Sequence, residues 1–431
     1  MTDFNPVNCR KYPSRWPLIR GKELFRVVDN RSETGTEELL TVSHITGITP
    51  RSQKNVTMFQ AESLAGYKLC EIGDIAANTM WMWQGAIGVS KYAGLISPGY
   101  DVYRQKGSHY NPRYLDILLR EKHLVDVYHS LSTGIRPSRL RLYPDVFLTI
   151  RFPVPPRTEQ DQIVRFLDWK VSAINRLIGI KRKEIVALEE LKQCQINEAI
   201  ADIENLGDTM QRLKTFSSCN QLTLGDSTAP NYTFRYVDIG SVDAKKGITK
   251  YEQMVFSSAP SRARRIVRKD DIIISTVRTY LRAITKISDE DNVIVSTGFA
   301  VITAKNEYSK YIEYCFKTDR FCNEVVRCSI GIAYPSINTP VLMNLSIPIP
   351  NYDTQISTAN RLDDISKKID KQIENKEKYI ISLAELKTRL IADTVTGKID
   401  VRNIEIPEYE IVGEESQAEE EIDAEGSDNG E

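Results

Sequence analysis

The chain has 431 residues, 41% of them hydrophobic and 27% charged, with a formal net charge of −1. That composition excludes a disordered or fibrous chain and suits a soluble protein of two or three domains. No apolar run is long enough for a membrane span, and the start MTDFNPVNCRKYPSRWP lacks the apolar core of a signal peptide, so the expected location is the cytoplasm.

Residues 1–152 read as a first mixed α/β domain. Within it, NTMWMWQG at 78–85 places Trp81 and Trp83 two apart, so an extended backbone would put both on one face. They suit core packing as well as contact with a ligand. GIRPSRLRLY follows, with Arg136, Arg139 and Arg141. Cys residues are scattered and form no CxxC pair, which suits reduced buried thiols and not a zinc site.

Residues 153–205 open with the extended FPVPP and continue as a long helix starting near Thr158, a suitable N-cap. Its apolar residues Ile163, Leu167, Val171, Ile174, Ile178, Ile185 and Leu188 alternate by four and three from 167 onward, with Lys181 in the vacant core slot. That is a coiled-coil seam. At roughly 40 residues such a helix is about 60 Å long and needs a partner.

Residues 206–347 read as a second domain. Strand-like VRKDDIIISTV and NVIVSTGFAVITA precede the helix-like SKYIEYCFKTDRFCNEVV. SRARRIVRK carries Arg262, Arg264, Arg265 and Arg268, expected to meet phosphates or simply solvent. STVRTYLR at 275–282, if extended, projects Arg278, Tyr280 and Arg282 from one face, the residue types that read base edges.

Residues 348–403 then repeat the first helical segment. Pro348 lies 195 residues after Pro153, and the same offset pairs Gln160 with Gln355, Leu167-Asp168 with Leu362-Asp363, Ile178 with Ile373, Lys181 with Lys376 and Glu190-Leu191-Lys192 with Glu385-Leu386-Lys387. The second helix starts near Asp353 and is stopped by Gly397. The domains echo each other less evenly: GDI at 73–75 with DDI at 270–272, YLDILL with YIEYCF, TGIRPS with IGIAYPS. The fold class is therefore α+β, two mixed domains with two long helices packed as an antiparallel coiled coil, in a pseudo-twofold internal repeat. Residues 404–431 hold twelve acidic residues and no Lys or Arg and read as a disordered tail, leaving 46 acidic against 57 basic residues elsewhere, compatible with a polyanionic partner.

The twice-used PxP…Q phrase, the K-x-x-I-x-x-L-x-E-L-K helix and the closing VTGKIDVR resemble the specificity subunits of type I restriction-modification systems over about Trp16–Asn403. The copies differ at Glu159, which faces Thr354. The resemblance implies two target-recognition domains, each reading half of a bipartite double-stranded DNA target, and paired helices that set the spacer and dock two modification subunits. It also implies that the chain has no cofactor and does no chemistry. S-adenosylmethionine, ATP and Mg belong to modification and restriction (motor-nuclease) subunits, and no membrane is involved. Trp81 and Trp83 then stand where Arg278 and Tyr280 stand, like positions with unlike chemistry. The chain shows no GxxxxGK[ST], no Asn/Asp-Pro-Pro-aromatic motif and no HExxH. The competing readings are a self-contained DNA-cleaving enzyme with two DNA-binding domains, and a coiled-coil adaptor.

Overall fold

The computed structural model describes residues 12–53, 63–135, 140–205, 207, 210–288, 292–331 and 334–413. They fall into two compact units, Met1–Lys181 with Lys378–Glu431, and Arg182–Glu377.

Unit 1 is built on a four-stranded antiparallel sheet of β1 (Phe25–Val28), β2 (Ile75–Asn78), β3 (Ile87–Val89) and β4 (Tyr100–Gln105), in the order β1-β4-β2-β3. The helices α1 (Pro112–Leu119) and α2 (Lys122–Leu131) cover one face. Asn111 caps α1 by accepting from the backbone N–H groups of Arg113 and Tyr114, with Pro112 at the first helical position. Ile75 and Ala77 enter the core beneath these helices, whereas Ala76 enters a second core on the opposite face, so β2 is apolar throughout.

The first long helix, α3 (Arg157–Asn205), runs 49 residues, about 74 Å at the helical rise. Unit 2 then repeats the sheet with β5 (Ser217–Cys219), β6 (Ile272–Ser275), β7 (Ile284–Lys286) and β8 (Phe299–Ala304) in the matching order β5-β8-β6-β7. Helices α4 (Ser309–Phe316) and α5 (Asp319–Arg327) cover it. Ile272 and Ile274 face those helices and Ile273 faces the other core, which explains the unbroken IIIS run. A second sheet joins Glu252–Val255, Thr233–Val237, Val293–Ser296 and Ala263–Ile266. The second long helix is α6 (Tyr352–Val395).

The proline-rich phrases close each unit as short edge strands. Arg151–Pro153 pairs with Leu18–Arg20, and Ser346–Pro348 with Met210–Arg212, positions where a missing N–H is tolerated. The glutamine that follows is fully buried in both copies. Gln160 Nε2 donates to the carbonyls of Pro155 (2.8 Å) and His109 (2.9 Å), and its Oε1 accepts from Asn111 N–H (2.8 Å). Gln355 donates to Pro350 O (2.9 Å) and Glu307, and accepts from Tyr308 N–H (3.0 Å). One amide thus pins each helix start to its unit. Gln160→Leu and Gln355→Leu are each expected to lower stability by about 1–3 kcal/mol, because buried partners lose their bonds. Urea denaturation checks this, with exposed Gln372→Leu as the control.

Both helices start one residue before the expected caps. Asn351, not Asp353, caps α6 by accepting from Thr354 N–H at 2.9 Å. The first copy has Pro156 there, and its Glu159 is buried against Arg15 Nη2 (2.6 Å) and Trp16 Nε1 (3.0 Å). The Glu159/Thr354 divergence therefore sets a buried contact to Arg15 and Trp16 in the first copy. The repeated aspartates keep one role: Asp168 accepts from Arg113 Nε at 3.0 Å, and Asp363 meets Lys310 Nζ at 3.4 Å.

Within each unit the helices pack antiparallel. In unit 1, Ile174 and Ile178 meet Leu383, Ile380 and Leu390, and Lys387 Nζ donates to Asn175 at 3.4 Å. In unit 2, Lys192 Nζ meets Asp370 at 2.7 Å, and the core-slot Lys376 binds Glu184. Lys192–Asp370 and Lys387–Asn175 are the same pair one repeat apart. The seam is shorter than its periodicity suggests, because Ile163, Leu167 and Leu362 belong to domain cores. Gly397 ends α6 at φ +74, where an added Cβ would lie 2.6 Å from Pro13 and Trp16.

Two expectations change. Cys70, Cys315 and Cys322 are buried, but Cys194 is exposed. Residues 404–413, assigned by composition to the disordered tail, lie along α3. Gln162 Nε2 donates to Ile404 O (2.8 Å), Asn175 Nδ2 to Val412 O (2.9 Å), and Val412 N–H to Ser172 Oγ (3.1 Å), while Ile404 and Ile406 pack on the core. Averaged acidity hid these apolar anchors. Exposed Arg361 and Lys367 of α6 stand one repeat from the buried Phe166 and Ser172 of α3. Residues 414–431 lie outside the described residues.

Candidate nucleic-acid interface

In both units a central strand of the sheet runs into a short 3-10 turn. In unit 2, β6 is followed by a turn over Thr279–Leu281, flanked by Arg278 (φ 52) and Arg282 (φ 53). The expected extended run, with Arg278, Tyr280 and Arg282 on one face, is therefore not formed. Among the described non-glycine residues with positive φ, the others are Asn or Asp, so these two arginines carry the less tolerated conformation. Tertiary contacts hold it. Arg278 N–H donates to Pro335 O (2.8 Å), Ile337 N–H to Thr276 O (2.9 Å), and Thr279 Oγ1 lies 2.9 Å from Ser329 Oγ.

The result is a surface of mixed chemistry. The Arg278 guanidinium sits 4.8 Å from the centroid of Tyr334, itself exposed, and Tyr280, Leu281 and Ile330 are exposed. Stacking on a tyrosine orients a guanidinium while leaving its N–H fork for a ligand. Arg282 is placed differently: Nη1 donates to Asp319 Oδ1 at 2.5 Å and Nη2 to Asn323 Oδ1 at 3.3 Å. Burial pushes the Asp319 carboxyl up, but hydrogen bonds from Asn197 and Arg282 and the Arg282 charge hold it below the usual range.

In unit 1, β2 leads into the turn Met82–Gln84, so Trp81 and Trp83 are not on an extended strand either. They stack on each other at 6.1 Å and 15°, Trp83 Nε1 donates to Met80 O (2.8 Å), and Trp83 packs on His129. Both are half-buried, while Met80, Ile135 and Tyr143 are exposed. Arg141 is exposed, with its Nη2 3.8 Å from the Met80 sulfur. Arg136 and Arg139 lie outside the described residues. The two turns thus occupy like positions, one aromatic and apolar, the other cationic and aromatic.

The second arginine cluster does not act as one patch. Arg262 pairs with Asp238 (2.9 Å) and Arg264 stacks on Phe256 (4.7 Å). Arg265 is half-buried on the strand Ala263–Ile266, and Arg268 is exposed. Sequence reasoning missed Tyr334, Ile330, Met80 and Tyr143. The repeated IGIAYPS phrase carried the signal for Ile330 and Tyr334, since Pro335 O accepts from Arg278 N–H of the turn. Among the described residues, no group of three or more His, Cys, Asp or Glu could hold a metal ion, and no helix is long and apolar enough to cross a membrane.

The fold is that of a duplicated α+β protein with one short 3-10 turn per unit after a central strand of the sheet. Residues 219–378 match the Type I restriction modification DNA specificity domain family. The Type I restriction enzyme MjaVIII specificity subunit of Methanocaldococcus jannaschii is 24% identical over 363 residues, 76% of this chain and 80% of that protein. A solved chain from the structural study of complex assembly and conformational transition of the type I R-M system superposes with a TM-score of 0.64 at 14% identity, covering 90% of this chain and 99% of its own. The HsdS subunit from Thermoanaerobacter tengcongensis gives 0.49 at 16% identity, covering 90% and 98%. Residues 219–378 are thus similar to the DNA specificity domain of type I restriction-modification systems, the chain is similar over most of its length to a specificity subunit, and the first superposition shows a shared fold.

Proposed function

We infer that each unit reads one half of a bipartite duplex DNA target, and that the paired helices set the spacer and dock two modification subunits. The observation that carries this reading is the pair of equivalent turns with unlike side chains, the arrangement two readers of different half-sites require. In this reading Arg278 and Tyr280 contact base edges, as do Trp81 and Trp83 through apolar contact, and Arg141 and Arg268 contact phosphates. The chain itself does no chemistry. S-adenosylmethionine, ATP and Mg act on the modification and restriction subunits. A self-contained DNA-cleaving enzyme finds no support in the MjaVIII relative, which is a specificity subunit.

The docking face is supported by a second repeat feature. Val186 and Ile381, and Leu191 and Leu386, are exposed apolar residues at the same positions of the two copies. Apolar positions kept twice outside the helix seam suit one partner bound twice. Leu191→Glu and Leu386→Glu are each expected to weaken one of two modification subunits by about tenfold or more, the equivalent of burying one leucine. Native mass measurement of the complex reads this as loss of one partner copy. The reading as a whole is tested by mapping methylated sites of the complex: a single split motif is expected, and replacing residues 1–152 with the same region of a relative should change one half only. A change in both halves would end the two-reader assignment.

A further inference from the structure

We propose that Arg282 is a positioning residue: it ties the reading turn of unit 2 to the long helix α3 and does not itself contact DNA. The proposal rests on the DNA-reading assignment of the turn and changes the role of one residue within it. The first observation is backbone strain. The residue closing the turn in unit 1 is Gly85, at φ 92, a conformation free to glycine. Unit 2 places an arginine there at φ 53, where a side chain is disfavoured. A strained residue kept where glycine would serve points to a use for its side chain.

The contacts show that use. Both arms of the Arg282 fork are occupied, by Asp319 and Asn323 at the start of α5. The second oxygen of Asp319 accepts from Asn197 Nδ2 at 2.7 Å, and Asp319 N–H donates to Asn197 Oδ1 at 2.9 Å. Asn197 lies on α3, where Gln193 Nε2 donates to Asn197 Oδ1 (3.1 Å) and to Lys317 O (2.9 Å). An unbroken chain of polar contacts therefore runs from the turn through α5 to α3. The matching residues of the other copy, Gly85, Lys122 and Ala392, cannot form it. There, stacked Trp81 and Trp83 hold the turn, and Val125 closes over Gly85, 3.2 Å from the position of an added Cβ. By contrast, Arg278 has no carboxylate partner among the described residues, so the two arginines of one turn divide the work of reading and of holding the reader.

The test uses the chain assembled with its modification subunits and a duplex pool randomised in one half-site at a time. Arg282→Gly suits the left-handed backbone and should fold normally. It is expected to lower base preference in the unit 2 half-site tenfold or more, leave the other half-site unchanged, and leave the slope of log affinity against log salt unchanged, because no phosphate contact is lost. Asn197→Ala, at the far end of the chain of contacts, should act in the same direction, and Arg282→Lys should restore part of the preference. A salt slope reduced by about one in Arg282→Gly would show a DNA contact and overturn the proposal. Wild-type base preference in that variant would overturn it too. If the wild-type complex selected no sequence in either half, the DNA-reading assignment would fall, and the proposal with it.

Discussion

Arg278→Ala is expected to weaken target binding by about 1–3 kcal/mol and to flatten base preference at one position of a single half-site. The guanidinium is exposed, stacked on Tyr334 and free of any acidic partner among the described residues, and its backbone is held in place by the bond to Pro335. Such a fork needs little ordering when it meets a base edge, and two parallel N–H groups match the paired acceptors of guanine. Removing Tyr334 should reproduce a smaller part of the loss, about 0.5–1 kcal/mol for an exposed cation–π contact. Arg268→Ala is the proper control, being exposed, whereas Arg264 is stacked on Phe256 and its loss would also disturb packing. Arg268→Ala should weaken all duplexes alike and lower the salt slope by about one. Competition binding of matched and mismatched duplexes at several salt concentrations separates the two. Equal, sequence-blind losses would remove the base-reading role of Arg278.

Lengthening the helical pair should change the spacer and nothing else. In unit 2, Glu184 faces Lys376 and Lys192 faces Asp370, so the residue opposite Leu188 is close to Ile373. Four residues inserted after Leu188, with four more after Ile373, extend both strands of the pair by about 6 Å, close to one turn, and keep the apolar faces nearly aligned. A single-sided insertion would instead slide Lys192 past Asp370 and break the register of the seam. At about 3.4 Å per base pair, the preferred spacer should grow by one or two pairs while both half-site sequences stay the same. Methylated-site mapping of the assembled variant measures this. An active variant with the original spacer would show that the helices are not the ruler.

The repeated segments are the most legible parts of the amino-acid sequence. The seam residues Ile174, Ile178, Ile380 and Leu383 meet as their spacing predicts, and the two matching glutamines are fully buried. Where local pattern misleads, the deciding contact is distant in sequence. STVRTYLR carries strand-like Val, Thr and Tyr, but bonds to Pro335 and Ser329 bend it into a turn. The acidic composition of residues 404–413 conceals Ile404, Ile406 and Val412, which find their partners on α3, more than 200 residues away.

The amino-acid sequence by itself determined the duplication, the two long helices and their antiparallel partnership. Hydrophobic period, proline-rich openings and a gapless repeat are local properties, and any chain carrying them twice buries the same seam twice. Only the tertiary structure decided which side chains stand free at the two turns. Arg278 and Arg282 are four residues apart and chemically identical, yet Asp319 and Asn323 occupy the fork of one, while Tyr334 orients the other and leaves it open. Whether a guanidinium is spent within the protein or available to a ligand depends on the carboxylate that folding brings beside it, and no spacing along the chain records that.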